Sequence, residues 1–220
     1  MRRVSIVFLF FLMLPSFAFS QVVVRDFEGW AGVKVRKKLG DNWTLSLEEH
    51  LRMEHNMSQL DEFFTEFNAG YDILQDVNLA LGIRGVRHKT GSGDLESRMR
   101  FHFETEYSHD INRTDLSFRL RYQSRFDTDE EQLLNALRFK TGMRWNPSNF
   151  PIDPYSSLEG FFKMPGRSST GHPGVRLAIG GIWKINKTHH IRLFYHLEWN
   201  NEEYYSLWIN RLGMRYDLRL

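Results

Sequence analysis

The stretch Leu116-Ser117-Phe118-Arg119-Leu120-Arg121-Tyr122-Gln123 decides the fold. Every second residue is apolar and those between are polar or cationic. That is the period-two signature of a β-strand with one greasy face and one wet face. Its neighbours repeat the rhythm. Trp43, Leu45, Leu47, Leu51 and Met53 alternate with Ser46, Glu48, His50 and Arg52. Phe63, Phe67, Tyr71 and Ile73 alternate with Glu66, Asn68, Gly70 and Asp72. Met99, Phe101, Phe103 and Tyr107 lie opposite Arg98, Arg100, His102, Glu104 and Glu106. Leu137, Phe139, Met143 and Trp145 lie opposite Arg138, Lys140, Gly142 and Arg144. No stretch of helical periodicity competes.

The pattern predicts strands over 28–39, 43–56, 62–74, 78–89, 96–108, 114–126, 132–145, 155–164, 174–185, 189–200 and 204–220. A strand of about eleven residues, rising about 3.3 Å per residue and tilted by roughly 40°, climbs about 28 Å, the height of a membrane barrel's apolar band. A soluble sandwich manages with about half that length. The expected fold is therefore all-β: a transmembrane antiparallel up-and-down barrel of 10–12 strands, with lipid outside and water inside. Both ends of such a barrel normally share one side of the membrane, so an even count, ten or twelve, is expected. A soluble barrel with an apolar ligand inside would invert the two faces, and the arginine-rich face argues against it.

Residues 1–20 read as a cleaved signal peptide: basic Met1-Arg2-Arg3, an apolar run from Val4 to Leu14, and Ala18-Phe19-Ser20 as a small-x-small cleavage site. Residues 21–220 then form one domain, expected in the cell outer membrane. The mean hydropathy of −0.46 suits a membrane barrel, in which only alternate residues are apolar. With no cysteine in the chain, disulfides and thiolate chemistry are excluded. A formal net charge of +2, without a basic arm or recognition helix, gives no reason to expect a nucleic-acid partner. No cofactor is expected.

The connections fall into two alternating sets. Residues 40–42, 75–77, 108–113, 146–154 and 186–188 read as periplasmic turns; 57–61, 90–95, 127–131, 165–173 and 200–203 read as outer loops. Pro147, Pro151, Pro154, Pro165 and Pro173 are all expected between strands, where a missing N–H does no harm.

The inward faces collect Arg84, Arg98, Arg100, Arg119, Arg121, Arg125, Arg138, Lys140, Arg144, Arg176, Lys184, Arg192, Arg211 and Arg215. Their acidic partners are Glu48, Glu66, Glu104, Glu106, Glu159, Glu198 and Asp217, with Glu104 and Glu106 facing Arg119 and Arg121 across a hairpin. Two consequences are open: a salt-bridged filling that stabilises the wall, or a basic constriction favouring small anions. Arg87 and Lys89 beside an outer loop are placed to meet lipopolysaccharide.

Other chemistry is weaker. His102, Glu104 and Glu106 share a strand face about 6.6 Å apart, too far to converge on one metal, and the same holds for His190, His196 and Glu198. No metal site is expected. Ser108-His109-Asp110 is contiguous in a turn and cannot converge as a triad; Ser124 and Ser206 carry no activating signature, and no Gly-x-Ser-x-Gly elbow occurs. The expectation is a non-enzyme, with a lipid- or lipopolysaccharide-modifying hydrolase as the alternative.

The final strand carries Arg211-x-Gly213-x-x-Tyr216-x-Leu218, which resembles the C-terminal signal by which outer-membrane barrels are recognised by the barrel assembly machinery, although Leu220 stands where many such chains end in Phe or Trp. The whole mature chain resembles a Gram-negative, Bacteroidota-type family of outer-membrane barrels of unknown function, DUF2490. The likeness lies in Glu28-Gly29-Trp30-Ala31-Gly32-Val33, in Lys37-Lys38-Leu39 leading to Trp43-Thr44-Leu45-Ser46-Leu47-Glu48, and in Arg119-x-Arg121-Tyr122. It implies fold and location and brings no catalytic residues; the expected form is a monomer set in outer-membrane lipid.

Overall fold

The computed structural model describes residues 22–89, 93–127, 132–164, 173–201 and 205–220. The leader at 1–20 and the loop residues 90–92, 128–131, 165–172 and 202–204 lie outside the described residues. The described residues form eleven strands: β1 (Val22–Leu39), β2 (Trp43–Glu54), β3 (Gln59–Leu74), β4 (Val77–Lys89), β5 (Leu95–Ile111), β6 (Thr114–Asp127), β7 (Gln132–Trp145), β8 (Ile152–Lys163), β9 (Pro173–Lys184), β10 (His189–Asn201) and β11 (Tyr205–Arg219). Each pairs with the next in antiparallel register, and β11 returns to β1 to close the barrel. Closure leaves no sheet edge, the condition for a β-structure to sit in hydrocarbon.

The count lies within the expected range but is not even. Residues 22–27 are the start of β1 rather than a separate strand, and the segments at 28–39 and 155–164 are both full wall strands. An odd number of up-and-down strands forces the closing pair to run parallel. The β1–β11 seam does so from Val22 opposite Tyr205 to Arg36 opposite Arg219. Parallel pairing is slightly weaker per residue, and the length of the seam offsets this. The seam is fastened at its end by Leu220 N donating to the Arg36 carbonyl (2.8 Å) and Lys38 N donating to the Leu220 carbonyl (3.3 Å).

Three further local readings are corrected. Pro173 is the first residue of β9, opposite Phe162 of β8, a position where a strand tolerates proline. Pro154 lies inside β8, opposite Gly181 of β9. The β7–β8 pairing begins only at Tyr155, so Pro154 sits where its strand has one neighbour and no N–H is required. Ser108, His109 and Asp110 belong to β5, not to a turn, because the β5–β6 ladder continues to Ile111 opposite Thr114. The hairpin turn is Asn112-Arg113, with Asn112 in the left-handed region (φ 58°).

The faces divide as the alternation requires. Leu81 is 64% exposed on the outer wall, while Glu66 and Glu159 are each 4% exposed inside. Rings gather at both rims of the outer face. Trp43 and Tyr71 lie 4.9 Å apart at the turn end, and Trp199 stands in register with Trp208 at the loop end. Such girdles mark the membrane–water boundaries of a barrel. One acid interrupts the apolar band. Glu49 faces outward between Val33 and Thr65, and its carboxylate accepts a hydrogen bond from the Thr65 hydroxyl at 3.2 Å.

Charge on this face opposes insertion, so a change in either direction is measurable. Leu120→Arg costs about 2–4 kcal/mol in urea titrations of the barrel folded into lipid vesicles, and Glu49→Leu raises stability by roughly 1 kcal/mol. Equal stability of Leu120→Arg and the wild type would contradict the assignment of faces.

Candidate functional site: a basic lumen

Cross-strand register builds the lumen. One row runs Glu106, Arg119, Lys140, Glu159, Arg176, Glu198 across six consecutive strands, so that cations and carboxylates become neighbours without any loop positioning them. Opposite charges at directly paired positions stabilise a sheet. Glu159 is the hub. It receives Arg119 at 2.9 Å, Arg138 at 2.9 Å and Arg176 at 3.6 Å. Glu198 receives Arg176 and Arg211, both at 2.5 Å, and Arg211 also reaches Glu28 at 2.6 Å.

On the other side of the barrel Glu48 binds Lys34 at 3.0 Å, His50 at 2.8 Å and Arg215 at 3.2 Å. Glu66 takes Arg84 at 2.5 Å. Glu104 takes Arg121 at 2.6 Å and also Arg119 at 3.8 Å. The expected pairing of Glu106 does not form; among the described residues it makes no ion pair, because Arg119 turns towards Glu159 and Glu104. Arg144 pairs with Asp115 (2.5 Å) near the turn end, and Arg192 lies 3.8 Å from Asp217. Of the basic residues expected in the lumen, all but Arg98 and Lys184 line its cavities, joined by Lys34, Arg36 and Arg52.

Among the described residues five rings inside the barrel escaped the sequence reading. Trp30, Phe64, Tyr155, Phe161 and Phe194 all face the lumen. Guanidinium groups cover four of them: Arg52 lies 4.0 Å from the Trp30 centroid, Arg84 3.9 Å from Phe64, Arg138 4.6 Å from Phe161 and Arg192 5.0 Å from Tyr155. Cation–π contact is strongest where both partners are shielded from water, so the rings help hold cations that lack a second carboxylate. A signal was present: Phe63-Phe64 and Phe161-Phe162 are adjacent pairs, and alternation compels one member of each to face inward.

The terminal pattern also acquires a physical role. Arg211 and Gly213 face the lumen, whereas Tyr216 and Leu218 face outward. A Cβ on Gly213 would lie 2.2 Å from the Phe194 ring, so only glycine admits that ring.

The remaining candidates do not assemble. His102 Nε2 lies 2.8 Å from Asn68 Oδ1, and Glu104 is held by Arg121, so the two are engaged separately. His196 stacks on Phe194 at 4.5 Å while Glu198 is held by arginines. Ser108 and Asp110 point to the opposite face from His109, which binds Asp76 at 3.1 Å. The Ser124 hydroxyl bonds Asn135. Among the described residues one mixed group, Asp61, Glu62 and His88, brings three ligand-type atoms within 4.8 Å, yet Glu62 is already paired with Arg52 and His88 with Asp61.

The space left open comprises cavities of about 610, 400 and 370 Å³. The largest lies towards the loop end and the other two towards the turn end. Lys34 and Arg119 border all three, and Lys140, Arg192 and Arg215 border the first two. The lining shared where the first two cavities meet is therefore a belt of cations, completed by Tyr155 and Ser157. Lys140 stands out because no carboxylate lies within ion-pair distance of it among the described residues.

The DUF2490 family, described as "Protein of unknown function (DUF2490)", matches residues 27–205. No curated protein matches the sequence. Among solved structures, the NanC porin superposes with a TM-score of 0.50 at 12% identity, over 78% of this chain and 86% of that one. A loop L8 deletion mutant of OmpT, an outer membrane protein of Vibrio cholerae, gives 0.46 at 9% identity over 77% and 57%. An anion-selective porin from Comamonas acidovorans gives 0.42 at 9% identity over 81% and 54%. The chain thus spans little more than half the length of the last two. The shared feature is the outer-membrane barrel fold.

Removing the Glu159 charge leaves three guanidinium groups short of a partner. Glu159→Gln is expected to lower the unfolding free energy in detergent by about 2–4 kcal/mol, whereas Glu106→Gln, which breaks no ion pair, changes it by less than about 0.5 kcal/mol. Equal effects of the two would refute the hub.

Proposed function

Because this chain belongs to the DUF2490 family of proteins of unknown function, which brings a barrel without an assigned activity, we propose that it is a narrow passive conduit favouring small anionic solutes. The observation that carries this reading is the belt where the cavities meet, with Lys140 lacking an acid of its own. A ring of Lys and Arg lowers the barrier for anions and raises it for cations. Eleven strands lie between the filled eight-stranded barrel and the open sixteen-stranded porin, which supports a bore suited to small solutes.

On this reading the leader is removed after Ser20, the barrel assembly machinery inserts the chain as a monomer into the outer membrane, and Arg87 and Lys89 rest against lipopolysaccharide. The purpose of the ladder is then twofold, to hold the wall and to leave net positive charge along the path. A sealed, purely structural barrel is the second reading. It is favoured by the density of ion pairs about Glu159 and Glu198, which fills much of the bore.

Planar-bilayer recording under a salt gradient separates the two. The wild-type barrel is expected to give a small conductance with an anion-selective reversal potential. Lys140→Gln is expected to move that potential towards cations without loss of the folded form, since no ion pair is broken and no like charge is set opposite Glu159. Absence of any current would remove the conduit in favour of the sealed barrel, and an unmoved reversal potential would remove the basic belt as its selector.

A further inference from the structure

The loop-end cavity holds a cation that the ladders leave unbalanced. Arg100 projects from β5 into the lumen, and its register partners on both sides are arginines, Arg84 on β4 and Arg125 on β6. Like charges at directly paired positions are destabilising. The charged groups that act most strongly on Arg100 are Arg84, Arg138 and Arg52, and of the acids Glu62. Each of those three arginines has a carboxylate of its own: Glu66 for Arg84, Glu159 for Arg138 and Glu62 for Arg52. Arg100 has none within ion-pair distance among the described residues. Its Nε is buried without a hydrogen-bond partner, and the side chain borders the 610 Å³ cavity together with Arg52, Arg84 and Arg138. A buried charged donor without a partner is costly, and here its nearest neighbours add repulsion to that cost.

We propose that Arg100, supported by Arg84, forms a binding site for a phosphate-class oxyanion carried by a small solute in the loop-end vestibule. A guanidinium presents parallel N–H donors that fit two oxygens of one anion, a geometry chloride cannot use. Several arginines converging on one surplus cation favour a dianion over a monoanion, because each unit of negative charge relieves more than one repulsion. The site lies towards the loop end from the Lys34–Arg119–Lys140 belt. It deepens the conduit reading by naming the solute class captured before the belt. Phosphate on a lipopolysaccharide headgroup has the same chemistry, but Arg100 faces the bore and not the lipid wall, which assigns the site to free solute.

The test uses the purified full-length barrel in detergent at low ionic strength, titrated with inorganic phosphate by calorimetry. The wild type is expected to bind. Arg100→Gln weakens binding by about tenfold or more, and Arg100→Lys, which keeps the charge but loses the fork, weakens it by a similar factor. Lys187→Gln, in the exposed turn between β9 and β10, changes it by less than about twofold. Heat-modifiable migration in gels checks that each variant is folded; if Arg100→Gln is not, Arg100→Lys decides. Undetectable phosphate binding by the wild type, or binding unchanged in the folded Arg100 variant, would overturn the site. Acetate competing as strongly as phosphate would overturn its dianion preference, and displacement by lipopolysaccharide would assign it to lipid. Because binding is read without a membrane, loss of current alone would sink the conduit and leave this site standing.

Discussion

Stripping a guanidinium group of water without giving it a partner is costly, and this constraint organises the interior of the barrel. Closure forces every second side chain of eleven strands into one bore. The chain meets the cost by placing carboxylates at register positions where a single acid reaches two or three cations. Glu159, Glu198 and Glu48 each act in this way. The strands supply the coordinates and the ladders fix them, so the wall and its contents are one structure. Where cations outnumber acids, aromatic rings take their place: Trp30 lies beneath Arg52 and Phe64 beneath Arg84.

The same economy explains why the lumen is neither a dry core nor an open pipe. Ion pairs reach inward far enough to divide the space into a wide loop-end vestibule and two smaller cavities at the turn end. The division falls at a level rich in lysine and arginine. Selectivity and stability therefore draw on one set of side chains, and a residue such as Lys140, which stabilises nothing through an ion pair, is better placed to act on a passing solute than Arg138, which does.

Much of this was legible in the residues. Alternation in Leu116–Gln123 fixed which side chains of β6 meet lipid, and strand limits read from turn residues fall within three positions of those observed, except that β1 starts six residues earlier. Lumenal arginines could be named because they occupy the polar parity of each strand. Three features could not be read so directly. Strand parity depends on how β11 meets β1, a contact between the first and last strands that no local pattern encodes. The choice of Glu159 over Glu106 as partner for Arg119 depends on side-chain reach after closure. The inward rings obey alternation, yet a reading that assigns apolar residues to lipid sets them on the wrong face, as with Phe64 and Phe194.

The physical claim at the centre is that hydrocarbon wets the apolar parity and water the arginine parity. The chain contains no cysteine, so single cysteines placed at Phe118, Arg119, Leu120 and Arg121 can carry spin labels without background. In lipid vesicles, collision rates with oxygen and with a water-soluble nickel chelate should alternate along β6, with oxygen favoured at 118 and 120 and the chelate at 119 and 121. Uniform accessibility at the four positions, or the opposite alternation, would contradict the account.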